Sequence, residues 1–216
     1  ATDQPMFDVY QAVNRRFARY LAAIAAPDDL LWVHDYHFLL LGKHLRDYGW
    51  VGPLGFFLHT PFPPRDVLSV LPEHDRLMQG LSAYDLIGFQ TETDAENFRT
   101  YMEYAHEAVR TDSETIRVFG RRITVIALPI GLDAETFAAM AESEQARKTA
   151  ERAARVAQDQ SFVIGVDRMD YSKGLPERMR AFDRLLAAHE DMRERVTYLQ
   201  ITPPSRQDVE EYADLH

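Results

Sequence analysis

The chain has 216 residues, a formal charge of −10 from 34 Asp and Glu against 24 Lys and Arg, and 46% hydrophobic residues. That composition excludes a disordered or collagen-like chain, and the absence of cysteine excludes a disulfide frame, a thiolate nucleophile and a sulfur metal site. The acidic balance disfavours nucleic acid and anionic membranes as partners, so any anionic ligand has to be held by locally placed cations. No apolar run approaches the ~18 residues of a membrane span, and residues 1–10 carry no signal-peptide pattern, so the expected compartment is cytoplasmic.

Short apolar runs alternate with helical periodicity along the whole chain. The spacing predicts a helix over 6–25, a strand over 30–34, a helix over 38–48 and a strand over 54–58. Next come a helix over 72–81, a strand over 85–89, a helix over 93–108 and a strand over 122–127. After Pro129-Ile130-Gly131 come a helix over 142–158, a strand over 162–166, a helix over 175–188, a strand over 196–201 and a helix over 205–215. The strands are brief and nearly all apolar, as in parallel strands covered on both faces, and the alternation predicts an α/β protein. The mixed charges of 142–158 read as a solvated helix face. In open α/β sheets ligands sit beyond the carboxyl ends of the strands, so the residues just after each strand are the candidates.

After the first strand comes Trp32-Val33-His34-Asp35-Tyr36-His37, where Asp35 is either a helix N-cap or a site carboxylate. His34 and His37 lack the third neighbour of a zinc helix, so the expected metal complement is none. The second strand delivers His59 into the stiff loop Thr60-Pro61-Phe62-Pro63-Pro64, where it serves a ligand or a backbone carbonyl. Most informative is Asp167-Arg168-Met169-Asp170-Tyr171-Ser172-Lys173-Gly174-Leu175-Pro176. Two cations five residues apart stand before a helix start that Ser172 can cap and Pro176 preorganises. Unpaired N–H groups, a bidentate guanidinium and a lysine suit a diphosphate, unless Arg168 is consumed by Asp167 or Asp170. Neither a Walker loop nor a Gly-x-Gly-x-x-Gly fingerprint is present. After the last strand, Ser205 and Asp208 fit a capping signature around Arg206, a cation that opposes the helix dipole and that an anionic partner would rationalise.

Five stretches, Trp-Val-His-Asp-Tyr-His at 32–37, Phe-Phe-Leu-His-Thr-Pro-Phe-Pro-Pro at 56–64, Tyr-Asp-Leu-Ile-Gly-Phe-Gln-Thr at 84–91, Leu-Pro-Ile-Gly-Leu-Asp at 128–133 and Arg-Met-Asp-Tyr-Ser-Lys-Gly-Leu-Pro-Glu-Arg at 168–178, occur in this order. Together they resemble the trehalose-6-phosphate synthase family of retaining glucosyltransferases. The resemblance implies a GT-B fold of two Rossmann-like, doubly wound parallel-sheet domains, of which this chain is the central part. Residues 1–132 would belong to the acceptor domain and 133–216 to the nucleotide-sugar donor domain. It implies glucose transfer from UDP-glucose to glucose 6-phosphate by front-face displacement, with no cofactor and no protein nucleophile. Arg168 and Lys173 would hold the donor diphosphate, and His59 the donor glucose. Asp35 would hold acceptor hydroxyls, Arg206 the acceptor phosphate, and Gln90 would line the site. The family's N-terminal glycine-rich loop and its acidic ribose motif have no counterpart in these residues, so the chain alone is expected to turn over poorly or not at all. Alternatives are a relative with another acceptor, of glucosylglycerol-phosphate synthase or validamycin type, and a catalytically silent sugar-phosphate-binding regulator. The sequence leaves open whether the protein forms a homo-oligomer.

Overall fold

The structure, a computed structural model, describes residues 4–157 and 160–203. Two compact units are formed, 1–131 and 132–216.

The first unit is built on a six-stranded sheet in the order β1-β2-β3-β6-β5-β4. β1 (Leu31–His34), β2 (Leu54–Phe57), β3 (Leu86–Phe89) and β6 (Arg121–Ala127) run parallel. The expectation of an all-parallel sheet is corrected at one edge, where β5 (Thr115–Val118) pairs antiparallel with β6 and with the two-residue β4 (Val109–Arg110). The turn between β5 and β6 is the reason. Phe119 and Gly120 both have positive φ, 49° and 71°, the geometry of a tight hairpin turn, and a two-residue turn can join only antiparallel strands.

Helices α1 (Gln4–Ile24), α2 (Leu41–Asp47), α3 (Arg65–Leu68), α4 (His74–Leu81) and α5 (Glu92–His106) complete this unit. The expected helix over 38–48 divides into a 3-10 turn, Tyr36–Phe38, and α2. The core arises from the apolar strands: Phe56, Ile87, Phe89 and Val125 are fully buried against Leu45, Leu81, Phe98 and Met102 of the helices. One close approach helps to fix the layers. A Cβ on Gly42 would lie 2.7 Å from the Tyr84 ring, so only glycine lets α2 settle there. The Tyr84 hydroxyl then accepts the Gly42 N–H at 3.0 Å and donates to the Phe38 carbonyl at 2.8 Å.

In the second unit β7 (Ser161–Val166) and β8 (Val196–Ile201) pair in parallel, with α8 (Leu175–Ala188) between them in the chain. α6 (Ala134–Glu142), which lies before the helix predicted over 142–158, starts at Asp133, whose carboxylate accepts the Thr136 N–H, and α7 (Glu144–Ala157) comes after it. The strands here are not covered on both faces as expected, for Ile164 and Val166 are exposed within this chain. The expected helix over 205–215, and Arg206 with it, lies outside the described residues. Among the described residues no helix is long and apolar enough to cross a membrane.

Candidate functional site

Parallel register sets the geometry of the first unit. Leu31 pairs with Leu54 and His34 with Phe57, so β1 and β2 end level. Asp35 directly after β1, and His59 two residues after β2, therefore both lie at the carboxyl edge of the sheet. Asp35 adopts φ 70° and ψ 166°, a region that residues with a Cβ rarely occupy. The surroundings over-determine it. Its N–H donates to Phe57 O at 2.8 Å, its carbonyl accepts the Phe38 N–H, and its carboxylate accepts the Tyr36 N–H at 3.0 Å.

α1 clamps the turn after Asp35. The Tyr10 hydroxyl donates to Tyr36 O and accepts the Leu39 N–H, and buried Asn14 donates to His37 O at 3.0 Å. Burial pushes the Tyr10 phenol up to about 12, so it remains a neutral donor. Asp35 is thus N-cap and strand-end carboxylate at once, which leaves both readings of the sequence standing.

His59 meets a partner that sequence reasoning missed. Its Nε2 lies 3.0 Å from His34 Nδ1, and the rings stack with centroids 5.2 Å apart. One proton lies between these two nitrogens, so the contact couples the tautomers of the two rings and leaves Nδ1 of His59 for a ligand. The alternation of β1 placed His34 on an exposed face, but its partner lies 25 residues away. His34 and His37 do not converge on a metal: the His37 ring stacks on Tyr36 at 4.1 Å, and among the described residues no three metal-ligating side chains gather.

The proline loop after His59 is anchored from α5. Asp94, 6% exposed, accepts the Phe62 N–H at 2.9 Å and the Thr91 hydroxyl at 2.6 Å, while Asn97 donates to Phe62 O. Thr91-x-x-Asp94 is a capping pattern legible in the sequence, and its tertiary use is to hold the loop that carries His59. At the end of β3, the Gln90 side-chain oxygen accepts the Ile130 N–H at 3.0 Å. Gln90 thereby ties the end of β3 to the segment leaving β6, at the same sheet edge as Asp35 and His59.

In the second unit the two aspartates of the rich loop are sorted by their partners. Asp167 is held by Arg178 of α8, whose guanidinium that carboxylate keeps above its usual range. Asp170, 3% exposed, accepts the Ser172 N–H at 2.9 Å and hydroxyl at 2.7 Å and pairs with Arg168 at 3.0 Å. Those hydrogen bonds, with Ser172 the largest cause, hold its carboxyl down at about 2. Arg168 thus makes the internal pairing that the sequence left open, yet half of its side chain, 51%, stays accessible.

Ser172 does not cap α8, because its hydroxyl is spent on Asp170. The N-cap is Gly174, at φ 62°, with no side-chain bond to the leading N–H groups, and Pro176 lies in the first turn. Lys173 is exposed and, among the described residues, has no carboxylate within ion-pairing distance. The loop therefore offers one uncompensated cation beside an uncapped helix N-terminus, the equipment of an anion site.

Strand-end side chains in one Rossmann-like unit and a cationic strand-to-helix loop in a second define an α/β protein of GT-B type. The sequence matches the model of glycosyltransferase family 20 over residues 1–216, and the chain belongs to that family. It is 43% identical over 203 residues to a trehalose-6-phosphate synthase of Sinorhizobium fredii, a match covering 94% of this chain and 44% of that protein. The crystal structure of an alpha,alpha-trehalose 6-phosphate synthase from Burkholderia multivorans superposes with TM-score 0.90 at 40% identity, covering 100% of this chain and 46% of the other. A Burkholderia xenovorans synthase solved in complex with glucose-6-phosphate matches with TM-score 0.88 and 38% identity, again covering 100% of this chain and 48% of its own. An Escherichia coli protein bound with UDP-2-fluoro glucose matches with TM-score 0.88 at 34% identity, over 100% of this chain and 48% of that one. The chain thus spans somewhat less than half the length of the relatives it matches.

Proposed function

We propose that this chain carries the central part of a retaining glucosyltransferase that forms α,α-trehalose 6-phosphate from UDP-glucose and glucose 6-phosphate. Relatives solved with glucose-6-phosphate and with UDP-2-fluoro glucose support that substrate pair. On this reading residues 1–132 belong to the acceptor domain and 133–216 to the donor domain. The observation that carries it is the unpaired Lys173 beside the uncapped start of α8.

In the reaction the bond between the donor sugar's anomeric carbon and the diphosphate breaks while the acceptor hydroxyl attacks the same face. The acceptor proton passes to the departing phosphate oxygen. The protein's part is to stabilise the charge that develops on the diphosphate and to fix both sugars. Lys173 and the leading N–H groups of α8 meet the diphosphate directly. Arg168 adds a guanidinium edge whose charge Asp170 already offsets, so it contributes orientation more than net charge. Asp35 accepts from acceptor hydroxyls, His59 presents Nδ1 to the donor glucose, and Gln90 lines the acceptor side. Arg206, outside the described residues, is assigned the acceptor phosphate.

The test is UDP-glucose binding by calorimetry, together with UDP release in a chain of the relatives' full length carrying this segment. Glucose 6-phosphate and glycerol 3-phosphate serve as alternative acceptors. Lys173→Ala is expected to cost about tenfold or more in donor affinity, and Arg168→Ala less. Donor affinity and rate untouched by Lys173→Ala would remove the diphosphate role, and preference for glycerol 3-phosphate would remove the acceptor assignment.

A further inference from the structure

Cations in the first unit are distributed in a way that the strand-end cluster does not use. α1, α2 and α4 border a cavity of about 420 Å3 whose lining includes Arg15, Lys43, His44, Tyr48, Arg76 and Gln79, with Asp47 its one carboxylate. It shares no residue with Asp35, His59 or Gln90. His44 is 8% exposed, its Nδ1 faces Asp47 at 3.7 Å, and its Nε2 has no hydrogen-bond partner. A ring nitrogen desolvated without a partner is costly in a protein interior, and the residue that carries it lines this cavity.

The charge balance is a second, independent observation. Lys43 is offset by Asp47 at 2.8 Å, and Arg76 by Glu73 at 3.0 Å. Arg15, Arg16 and Arg19 have no carboxylate within ion-pairing distance among the described residues, and with Tyr48 they line an adjoining depression. Like charges at i and i+4, as Arg15 and Arg19 are, weaken a helix slightly. In a chain with 34 carboxylates, none among the described residues is placed to relieve them. After burial, the charge of Arg15 is the next cause holding His44 below its ordinary value, so the cationic field reaches the floor of the same cavity. Arginine offers a planar fork that matches phosphate oxygens, Lys43 adds a point charge, and Tyr48 and Gln79 supply neutral partners for hydroxyls. The volume falls within the range of small-molecule sites.

We propose that this cavity is a second ligand site of the chain, binding a small hydroxylated phosphate ester with Arg15 as its principal phosphate ligand and the His44 ring in its lining. The proposal does not depend on the glucosyl-transfer reading. Its test is a heteronuclear NMR titration of the 216-residue chain with glycerol 3-phosphate, tracking the His44 ring, assigned through His44→Gln, with inorganic phosphate as the charge-only control. Saturable His44 shifts are expected in the millimolar range, tighter for the ester than for inorganic phosphate and weakened by salt. Arg15→Gln should lower affinity about tenfold or more, and Arg15→Lys by less, because the charge persists without the fork. Lys173→Ala should leave the His44 response unchanged, which separates this site from the loop before α8. No saturable His44 shift, equal affinity in Arg15→Gln, or loss of the response in Lys173→Ala would each overturn the proposal.

Discussion

Replacing Asp35 by glycine and, in a second variant, by alanine separates the strain at the end of β1 from the carboxylate presented there. Both variants lose the acceptor that Asp35 offers the Tyr36 N–H, so that term, about 1 kcal/mol, cancels between them. What differs is the backbone. At φ 70° and ψ 166° a residue with a Cβ costs of order 1–3 kcal/mol. Glycine escapes that cost but loses roughly 0.5–1 kcal/mol to its greater freedom in the unfolded chain. The difference, up to about 2.5 kcal/mol and centred near about 1 kcal/mol, predicts that Asp35→Gly is more stable than Asp35→Ala, the reverse of the usual order. Urea unfolding monitored by tryptophan fluorescence reads this directly, because Trp32 and Trp50 are the chain's two tryptophans and both lie in the first unit. If Asp35→Ala equals or exceeds Asp35→Gly in stability, the bond from the Asp35 N–H to Phe57 O and the clamp of Tyr10 and Asn14 on the following turn do not hold a strained residue and the reasoning fails. Tolerating strain at a carboxylate poised on a sheet edge is the kind of compromise made for a functional group.

Tyr84→Phe leaves the Gly42 N–H and the Phe38 carbonyl unpaired in the core, an expected loss of roughly 2–4 kcal/mol in urea unfolding, whereas exposed Tyr104→Phe should cost almost nothing. Acid unfolding should show the Arg110–Glu96 pair. Its hydrogen bonds lower the Glu96 carboxyl from 4.5 to about 2, so the stability it supplies is complete above the ordinary value and is lost as pH falls through that window. The gap between wild type and Glu96→Gln should therefore close between those values, and a gap independent of pH would count against the pair.

Much of the architecture was legible in local sequence because short apolar runs bounded by Gly, Pro and charged residues leave few alternatives. β1, β2, β3, β6, β7 and β8 begin and end within a residue or so of the runs that predict them. α8 matches its predicted span, since Gly174-Leu175-Pro176 marks its start unambiguously. The antiparallel edge was not read, because Val109–Arg110 and Thr115–Val118 are brief, interleave apolar with polar residues, and are defined by pairing with each other and with β6 more than by their own composition. The site divided in the same way. Residue types and their places after strands pointed to Asp35, His59, Gln90, Arg168 and Lys173, because strand ends are set by local pattern. Which charges stay free was decided only in three dimensions. Asp167 is taken by Arg178, eleven residues on, Asp170 takes Ser172 and Arg168, and His59 finds His34 across the β1–β2 register. Hydrogen bonds and ion pairs depend on distances of a few ångströms between segments far apart in the chain, and only the packing of helix on sheet sets those distances.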